Sequence, residues 1–339
     1  MIRIQEHVDL FPYNTFKIAA KARYFTSVTT VADLRELINH PVYKQHKHLI
    51  MGGGSNMLLT GDYDGLVIKN DLRGIETVSE NDSTVTLKAG AGEPWHAFVI
   101  FCVTNNYGGV ENLSLIPGTI GAAPMQNIGA YGVEVKDLIK TVEAVDTSSG
   151  EMHVFTNAEC EFGYRESVFK RKLKGKYFIS SVTLTLTKKN HVLNTSYGAI
   201  QQTLDQQQSV PSIKSISDAV IAIRQQKLPD PKVIGNAGSF FKNPTIDQSQ
   251  YESIKKDYPE MPGYTSENQQ VKVPAGWLIE QCGWKGKRIG DVGVHPHQAL
   301  VLVNYGNGSG ENIQSLAQDI LASVKKKFAI DLQPEVNII

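Results

Sequence analysis

The sequence predicts an α+β protein with two or three lobes, and three observations support this prediction. The chain has 339 residues, more than one hydrophobic core usually organises. Runs with helical periodicity alternate along it with short runs rich in β-branched residues. Glycine clusters follow some of these runs, and such clusters are typical of turns that bind a ligand.

The first lobe is predicted over residues 1–70. Thr30 is placed to cap a short helix that ends near Asn39. The predicted strands and the glycine turn between them cover residues 47–51, 65–70 and 52–56. This order of elements indicates a small βαβ-like lobe.

The second lobe is predicted over residues 71–210. Its predicted elements are a hairpin (75–79 and 84–89), a helix (93–106) and three strands (139–146, 151–155 and 177–187). Residues 188–211 are polar and rich in glutamine, which predicts a mobile loop and a boundary between lobes.

The third lobe is predicted over residues 211–330, and residues 331–339 form a tail. The sequence Ser215-x-x-Asp218 predicts a helix over 215–227 that begins at this serine. The other predicted elements are helices at 249–257, 275–282 and 311–328 and a strand at 299–304.

Composition narrows the class of partner. Lys plus Arg and Asp plus Glu are both 34, so the formal net charge is zero. A protein that binds nucleic acid or an anionic membrane usually carries an excess of positive charge, so we expect neither partner. A small molecule is the expected ligand.

The chain shows no sign of export or of disulfide bonding. It contains no run of about 18 apolar residues, and its first residues lack the apolar core of a signal peptide. The three cysteines are odd in number and form no C-x-x-C pair. We therefore expect a cytoplasmic protein with reduced thiols buried in its core.

Residues 116–132 are the most informative segment. They contain four glycines and two prolines but no charged residue. Glycine lets a ligand approach the backbone and proline fixes its course, so we predict a rigid wall of exposed peptide groups. A flat, partly anionic ligand suits such a wall, because uncharged loops of this length are usually functional.

Two glycine clusters are candidate phosphate sites. Residues 52–56 follow an apolar strand, and their successive peptide N–H groups form a nest for an anion. Residues 306–310 also follow a strand, but Glu311 takes the place of the third glycine of a dinucleotide fingerprint. Its charge repels phosphate, so we interpret 306–310 as a helix-capping loop.

Three further segments carry candidate chemistry. Ser239 lies in residues 235–244, next to a glycine and two aromatics, where we expect it to be shielded from solvent yet reachable. Arg165 and Glu335 stand in small or neutral surroundings, although isolated charges are usually surface residues. His295 and His297 have no third ligand at metal spacing, so no metal site is predicted.

With these segments the chain resembles the UDP-N-acetylenolpyruvoylglucosamine reductase family over nearly its whole length. The segment Ser196-Tyr197-Gly198, inside a long polar insert, is similar to the type I subgroup, in which a tyrosine loop covers the substrate. The motifs that carry the resemblance are Asn14-Thr-Phe, Gly53-Gly-Ser-Asn56, Glu111-Asn-Leu-Ser-Leu-Ile-Pro-Gly, Gln126-Asn-Ile-Gly-Ala-Tyr-Gly, Phe162-Gly-Tyr-Arg-Glu-Ser, Lys227-Leu-Pro-Asp-Pro-Lys, Gly238-Ser-Phe-Phe-Lys-Asn-Pro, Ala275-Gly-Trp-Leu-Ile-Glu and Pro334-Glu335.

The resemblance implies a fold and a reaction. The fold is the FAD-binding fold of the vanillyl-alcohol-oxidase/PCMH type, built of two α+β lobes, plus a C-terminal α+β substrate domain whose tail returns to the active site. The cofactor is FAD, with NADPH as co-substrate, and the reaction reduces the enolpyruvyl ether of a UDP-sugar to a lactyl ether. The implied catalytic residues are Arg165 and Glu335, which stabilise an enolate, and Ser239, which donates a proton.

The resemblance also implies two sets of binding residues. The FAD cradle comprises Gly53, Gly54, Ser55, Asn56, Pro117, Gly118, Thr119, Gly121, Gln126, Asn127 and Gly129. The UDP-sugar is held by Tyr197, Lys227, Asn243, Tyr264 and Gln298, with Lys227 at the diphosphate. We expect a monomer with this nucleotide-sugar as its partner.

Two other functions remain open from the residues alone. Glycine walls and neutral charge also suit a regulator that binds a nucleotide-sugar without chemistry. A flavin oxidase of related architecture would often attach FAD covalently through His or Cys, and neither residue occurs in 52–56 or 116–132.

Overall fold

The computed structural model describes residues 2–266 and 270–339, and the chain divides into two compact units. The first unit comprises the residues up to Val8 together with Ala22–Gly54 and Asp64–Gln226. The second unit comprises Asp9–Lys21, Ser55–Tyr63 and Lys227–Ile339. The chain therefore passes repeatedly from one unit to the other. The domain boundaries after residues 70, 210 and 330 stay predictions.

Strands and helices alternate along the chain. The strands are β1 (Gln5–Asp9), β2 (Lys21–Val28), β3 (His48–Met51), β4 (Met57–Leu58), β5 (Tyr63–Asn70), β6 (Ile75–Glu80), β7 (Thr84–Gly90), β8 (Gly129–Ala130), β9 (Val133–Glu134), β10 (Ile139–Asp146), β11 (Met152–Thr156), β12 (Tyr177–Thr187), β13 (Gly235–Ser239), β14 (Thr245–Asp247), β15 (Tyr264–Ser266), β16 (Gln270–Lys272), β17 (Arg288–Ile289), β18 (Val292–Val294), β19 (Val301–Asn304) and β20 (Asn337–Ile338). The α-helices are α1 (Val31–Asn39), α2 (Pro41–Gln45), α3 (Trp95–Thr104), α4 (Gly198–Gln206), α5 (Ile213–Lys227), α6 (Gln248–Asp257), α7 (Ala275–Gln281) and α8 (Gly310–Phe328).

The first unit is built on two sheets. One has the strand order β1-β2-β5-β3, with β3 and β5 parallel. The other is antiparallel, with the order β11-β10-β12-β7-β6. Alternate residues of its central strands, such as Leu87 and Val182, belong to the same buried core cluster as Trp95 and Phe98 of α3. This packing buries one face of the sheet, as period-two patterning requires.

Most elements predicted from periodicity are confirmed with ends shifted by a few residues. At α1 the hydroxyl of Thr30 accepts a hydrogen bond from the Asp33 N–H at 3.0 Å, and the Asp33 carboxylate accepts one from the Thr30 N–H. This reciprocal capping box explains why the helix begins where the sequence predicts.

The prediction of a mobile loop over residues 188–211 is wrong in part. Helix α4 occupies its centre, because Ile200 and Leu204 are fully buried against Ile216 and Val220 of α5. Two apolar residues one helical turn apart are enough to bury one stripe of a helix. The many glutamines of this segment make it polar overall, so the apolar stripe was not recognised from the sequence.

The predicted start of the following helix is also corrected. Helix α5 begins at Ile213, not at Ser215. The Ser212 hydroxyl accepts from the Ser215 N–H at 3.0 Å, and the Ser215 hydroxyl accepts from the Ser212 N–H at 2.8 Å. Ser212 therefore caps the helix, and Ser215 completes the reciprocal pair from inside it.

The second unit contains the sheet β13-β19-β18-β17, the small sheet β14-β16-β15 and the parallel pair of β20 with β4. The amide of Asn304, at the end of β19, donates to the carbonyls of Phe16 and Gly308 at 3.0 and 3.1 Å. Residues 306–310 are the helix-capping loop that the sequence predicts, because Ser309 and Asn312 cap α8 reciprocally. No nucleotide fingerprint is formed there.

All three cysteines are free; Cys102 and Cys160 are buried, whereas Cys282 is half-buried. Burial raises the pKa of the Cys160 thiol to about 12, so it stays protonated and inert. Within residues 2–266 and 270–339, no helix has the length and apolar character needed to span a membrane.

Candidate active site

The glycine turn and the uncharged loop meet within the first unit. A Cβ atom added to Gly53 would lie 3.2 Å from the Cα atom of Gly118. Only two backbones without intervening side chains pass this closely. The structure thus brings together two segments that lie more than 60 residues apart in the sequence and that were both predicted to hold FAD.

The uncharged loop is less open than the sequence predicts. The N–H groups of Ile120 and Gly121 donate to the carbonyls of Glu93 and Ala91, both at 2.8 Å. A Cβ atom on Gly121 would lie 2.6 Å from the Cβ atom of Ala91. Part of the predicted wall of exposed peptide groups is therefore bonded to the protein, which fixes the shape of the loop.

Asn127 anchors the end of this loop. Its side chain is fully buried, and its amide donates to the Gly163 carbonyl at 3.0 Å and to the Glu134 carboxylate at 3.1 Å. Its side-chain oxygen accepts from the Lys136 N–H at 3.1 Å. These partners assign the Asn127 side chain a structural role in holding the loop.

The other predicted cofactor residues are divided between the two units. Gly54, Pro117, Thr119, Gln126 and Gly129 belong to the first unit, whereas Ser55 and Asn56 begin the next segment of the second. The Asn56 amide donates to the Glu335 carbonyl at 3.4 Å, and the Asn56 carbonyl accepts from the Asn337 N–H at 3.1 Å. Asn56 therefore contacts the chain terminus.

Arg165 lies beside the uncharged loop in the first unit. Its guanidinium donates to the Gly129 carbonyl at 2.7 Å and to the Asn127 carbonyl at 3.4 Å. The residue has a φ of 55°, a left-handed conformation that is unfavourable for a residue with a side chain. Such strain is concentrated at functional sites, and here it belongs to a residue whose guanidinium contacts the uncharged loop.

Ser239 and Glu335 lie side by side in the second unit. Ser239 ends β13, and the N–H of Glu335 donates to the carbonyl of the next residue, Phe240, at 2.8 Å. Phe241 and Pro334 form an antiparallel bridge. The C-terminal tail thus extends alongside the serine segment, although about 95 residues separate the two in sequence.

The predicted shielding of Ser239 is not provided by its neighbours. Phe240 and Phe241 are buried in the core, where the Phe240 ring packs edge-on against Phe16 at 6.3 Å. Ser239 itself is exposed. The aromatic residues therefore fix the backbone next to the serine but leave the serine residue exposed.

Two of the predicted substrate residues converge at the start of α7. The Asn243 side-chain oxygen accepts from the Ala275 N–H at 2.9 Å. The Gln298 side-chain oxygen accepts from the Leu300 N–H at 3.3 Å, and a Cβ atom on Gly276 would lie 3.2 Å from it. Both amide NH₂ groups remain as donors at this helix terminus.

The remaining substrate residues are exposed. Tyr197 precedes α4, and its ring packs edge-on against Tyr131 at 5.2 Å within the first unit. Lys227 ends α5, and Tyr264 begins β15 with 64% of its surface exposed. Exposure is what a residue needs in order to meet a ligand, but the structure does not bring these three together within one unit.

Asn112 is not among the site residues predicted from the sequence, although it lies within one of the motifs that carry the family resemblance. Its buried amide donates to the Tyr131 carbonyl at 3.2 Å and to the Asn194 carbonyl at 2.9 Å. It therefore connects the uncharged loop, through Tyr131, to the segment that leads to Tyr197, through Asn194. The family motif that contains this asparagine was the available signal.

The two histidines of the second unit form a pair. The rings of His295 and His297 pack edge-on with centroids 5.5 Å apart. Burial lowers the pKa of His295, and the charge of His297 lowers it further. Across the described part of the chain, no group of three His, Cys, Asp or Glu residues has the geometry of a metal site.

Comparison with known proteins identifies the family. Residues 229–339 match the model of the UDP-N-acetylenolpyruvoylglucosamine reductase C-terminal domain, and residues 22–156 match an FAD binding domain. The UDP-N-acetylenolpyruvoylglucosamine reductase of Flavobacterium johnsoniae is 52% identical over 339 residues, which cover 100% of both chains. The chain belongs to the UDP-N-acetylenolpyruvoylglucosamine reductase family. The enzyme of that name from Amoebophilus asiaticus is 51% identical, and the match covers 99% of each chain. The enzyme of that name from Chromobacterium violaceum is 49% identical, and the match covers 100% of this chain and 99% of the relative.

A solved structure supports the fold of this reductase family. The UDP-N-acetylenolpyruvylglucosamine reductase of Thermus caldophilus superposes with a TM-score of 0.69 at 22% identity, covering 100% of this chain and 99% of that one. Together with the FAD-binding match, this confirms the predicted class: an FAD-binding domain of the vanillyl-alcohol-oxidase/PCMH type followed by a C-terminal domain.

The residues present fit FAD, the cofactor of the matched domain. Residues 52–54 and 118–121 lie within the matched range, and their backbones approach closely because glycine leaves space that a Cβ would fill. The loop over residues 116–132 carries no acidic residue that would repel the diphosphate of the cofactor. Gly53 and Gly118 let the two backbones approach, and these backbones would line the site for FAD, whereas the bonded N–H of Gly121 fixes the shape of the loop.

We expect Gly121→Ala to weaken FAD binding by about tenfold or more and to lower stability by about 1–3 kcal/mol. The added methyl group would meet Ala91 at 2.6 Å, so the loop must shift. FAD retained after dialysis and the thermal midpoint measure the two effects. Gly61→Ala is the control, because a Cβ there meets no atom within 4 Å. Equal FAD retention in both variants would contradict the prediction.

Proposed function

We propose that the protein reduces UDP-N-acetylglucosamine enolpyruvate to UDP-N-acetylmuramate with NADPH, in the cytoplasmic synthesis of peptidoglycan precursors. The observation that carries the proposal is the full-length identity of 52% with a reductase of this name. The placement of Glu335 alongside the Ser239 segment supports it from the structure.

The reaction adds a hydride and a proton across the enolpyruvyl double bond, and NADPH is converted to NADP⁺. Bound FAD supplies the hydride chemistry. Hydride addition at one alkene carbon leaves negative charge on the carbon next to the carboxylate. A fixed cation and a proton donor are therefore the two contributions that the protein must make.

We assign the cationic role to Arg165. Its guanidinium is already held by two backbone carbonyls beside the uncharged loop, so little reorganisation is needed as charge develops. Glu335 is the second member of the enolate-stabilising pair. Its backbone is fixed by the hydrogen bond to Phe240, which directs the half-buried side chain from a rigid segment.

We assign the proton transfer to Ser239. The residue is exposed at the end of β13 and thus accessible to a ligand. A serine hydroxyl is a weak acid, but a carbanion is a strong base, and this difference drives the transfer. The proton ends on the carbon next to the carboxylate, which completes the lactyl ether.

We assign the UDP-sugar to Tyr197, Lys227, Asn243, Tyr264 and Gln298. The amide groups of Asn243 and Gln298 are fixed at the start of α7 and suit hydrogen bonds to neutral or anionic oxygens. Lys227, exposed at the end of α5, supplies a cation for the diphosphate. A type I tyrosine segment around Tyr197 and a monomeric protein complete the proposal.

A visible spectrum of the purified protein tests the proposal directly. We expect a yellow protein whose flavin absorbance is bleached by NADPH without oxygen and restored by the enolpyruvyl sugar. A protein that binds no FAD would support a nucleotide-sugar-binding regulator. A protein whose colour returns with oxygen but not with the sugar would support a flavin oxidase.

We expect Tyr197→Phe to raise the KM for the UDP-sugar about tenfold while FAD content stays unchanged. The exposed phenol is free to contact a ligand, and the loss of one hydrogen bond to a charged group has about this effect. Steady-state kinetics and flavin absorbance provide the two readouts. Tyr24→Phe, in the same unit and packed against His46, is the control. Flavin loss with an unchanged KM would contradict this role.

A further inference from the structure

The peptide of Leu115 is held from both sides. Leu115 has a φ of 58°, which is unfavourable for a residue with a side chain. Its N–H donates to Nδ1 of His96 at 2.9 Å, and its carbonyl accepts from Nε of Arg224 at 3.3 Å. Two side chains thus maintain a strained backbone immediately before the uncharged loop, which begins at residue 116.

The acceptor role of His96 requires a neutral ring with its proton on Nε2. Burial lowers the pKa of His96, and the nearby charge of Arg224 lowers it further. The ring therefore remains an acceptor at neutral pH, and the two contacts with Leu115 are compatible with each other.

Arg224 has a second partner besides Leu115. Burial raises the pKa of the Tyr131 phenol, and the positive charge of Arg224 opposes this rise, so the guanidinium lies near that phenol. Among the described residues, Arg224 forms no ion pair with a carboxylate. Helix α5 adds a further contact on the same side, because the hydroxyls of Ser217 and Ser114 lie 2.8 Å apart in the core. Arg224 therefore extends from a helix that is firmly attached to residues 114 and 115.

Tyr131 connects Arg224 to the tyrosine segment. The Tyr131 ring packs edge-on against Tyr197 with an interplanar angle of 88°. The Tyr131 carbonyl shares the amide of Asn112 with the Asn194 carbonyl. A continuous series of contacts thus leads from the Leu115 peptide through Arg224 and Tyr131 to Tyr197, all within the first unit.

We infer that Arg224 is a positioning residue that links the start of the uncharged loop (residues 112–120) to the segment around Tyr197 (residues 190–206), so that FAD binding and UDP-sugar binding are energetically coupled. The identity of the sugar rests on the proposed function. The link itself rests on the contacts of Leu115, Arg224, Tyr131 and Tyr197. A side chain that is bonded to the Leu115 peptide and also interacts with the charge distribution of a neighbouring tyrosine is disturbed whenever either partner moves, which is the physical requirement for coupling.

Hydrogen exchange of the FAD-loaded protein tests the link without any reaction. Arg224→Met should raise amide exchange at least about threefold in both residues 112–120 and residues 190–206, and weaken FAD binding about tenfold. Tyr131→Phe should raise exchange only in residues 190–206, because the contact between Arg224 and Leu115 remains. Lys214→Met removes an exposed cation from the same helix and should change neither segment.

An unchanged exchange rate in either segment of Arg224→Met would overturn the inference. If that variant fails to fold, Tyr131→Phe decides: faster exchange confined to residues 190–206 supports the link, and exchange equal to the parent overturns it. Both readouts use FAD alone as the bound molecule.

A double-mutant cycle tests the coupling to the sugar. The probe is enolpyruvyl UDP-N-acetylglucosamine, and its Kd is read from the change in the flavin spectrum. Tyr197→Phe should weaken sugar binding about tenfold in the parent but less than about threefold in Arg224→Met. Equal factors in the two backgrounds would overturn the coupling. A protein whose spectrum does not respond to the sugar overturns the proposed function instead, while hydrogen exchange still decides the role of Arg224.

Discussion

Ser239→Ala is expected to slow the return of flavin colour with the enolpyruvyl sugar by about 10²–10⁴-fold, the usual contribution of a positioned general acid. Bleaching by NADPH should stay within about tenfold of the parent, a barrier change below roughly 1.4 kcal/mol. The two half-reactions differ in this way because only the second must protonate a carbon.

The structure makes this substitution informative. The Ser239 hydroxyl is exposed, and the adjacent fold is held by the buried rings of Phe240 and Phe241. Removal of the hydroxyl therefore leaves the core intact. A general folding defect would lower FAD retention and slow both half-reactions together, which is a different pattern.

Anaerobic stopped-flow absorbance follows each half-reaction separately. Ser249→Ala is the matched control, because this serine is also exposed and lies in the second unit on α6. If Ser239→Ala reacts with the sugar as fast as the control, the proton comes from another donor. Glu335, whose backbone is bonded to the residue after Ser239, is then the next candidate, together with an ordered water molecule.

Arg165→Lys is expected to lower the rate of the same half-reaction by about 10²–10³-fold, even though the charge is kept. The guanidinium of Arg165 is fixed by the carbonyls of Gly129 and Asn127. A lysine ammonium is a point charge on a flexible stem and cannot reproduce that planar arrangement. The unfavourable φ of 55° is the same for both residues, so backbone strain does not distinguish them.

Arg171→Lys provides the control for this substitution. Arg171 is exposed, lies six residues further along the chain and pairs with Glu161 at 3.4 Å. Exposed pairs of this kind contribute little, so the rates should stay within about twofold of the parent. A loss of FAD in Arg165→Lys, with normal sugar turnover in the molecules that retain it, would show that Arg165 supports the flavin loop only.

Several elements of this protein could be predicted because their signals are local. The helix after Thr30 has its capping box within four residues, and β7 alternates apolar and polar residues directly after a polar turn. The long helix α8 combines a cap at Ser309 with an apolar stripe. Each of these signals needs only neighbouring residues to be read.

Helix α4 could not be predicted in the same way. Its two buried residues, Ile200 and Leu204, are apolar positions in a glutamine-rich segment. They indicate a helix only once Val220 of α5 is known to share their buried cluster. Tertiary packing supplies most of the stability of such a helix. A sequence window contains the helix but not the partner that stabilises it.

The candidate site shows the same division. The glycines of residues 52–56 and 116–132 indicated a cradle from composition alone, and the family motifs named the residues expected to act. The surroundings of these residues came from the structure: Ser239 is exposed rather than shielded, and the side chain of Asn127 is fully occupied by protein partners. Arg224 was not predicted as a site residue, because the residues next to it in the sequence do not indicate that it lies near Leu115 and Tyr131.

The sequence by itself determined the neutral charge, the order of most helices and strands, the uncharged loop and membership of a reductase family. The tertiary structure alone decided that Gly53 passes Gly118 at close range and that the chain terminus extends alongside Ser239. The physical reason is that propensity, capping and periodicity are properties of neighbouring residues. Close approach and hydrogen bonding between distant segments depend instead on how the whole chain buries its apolar faces.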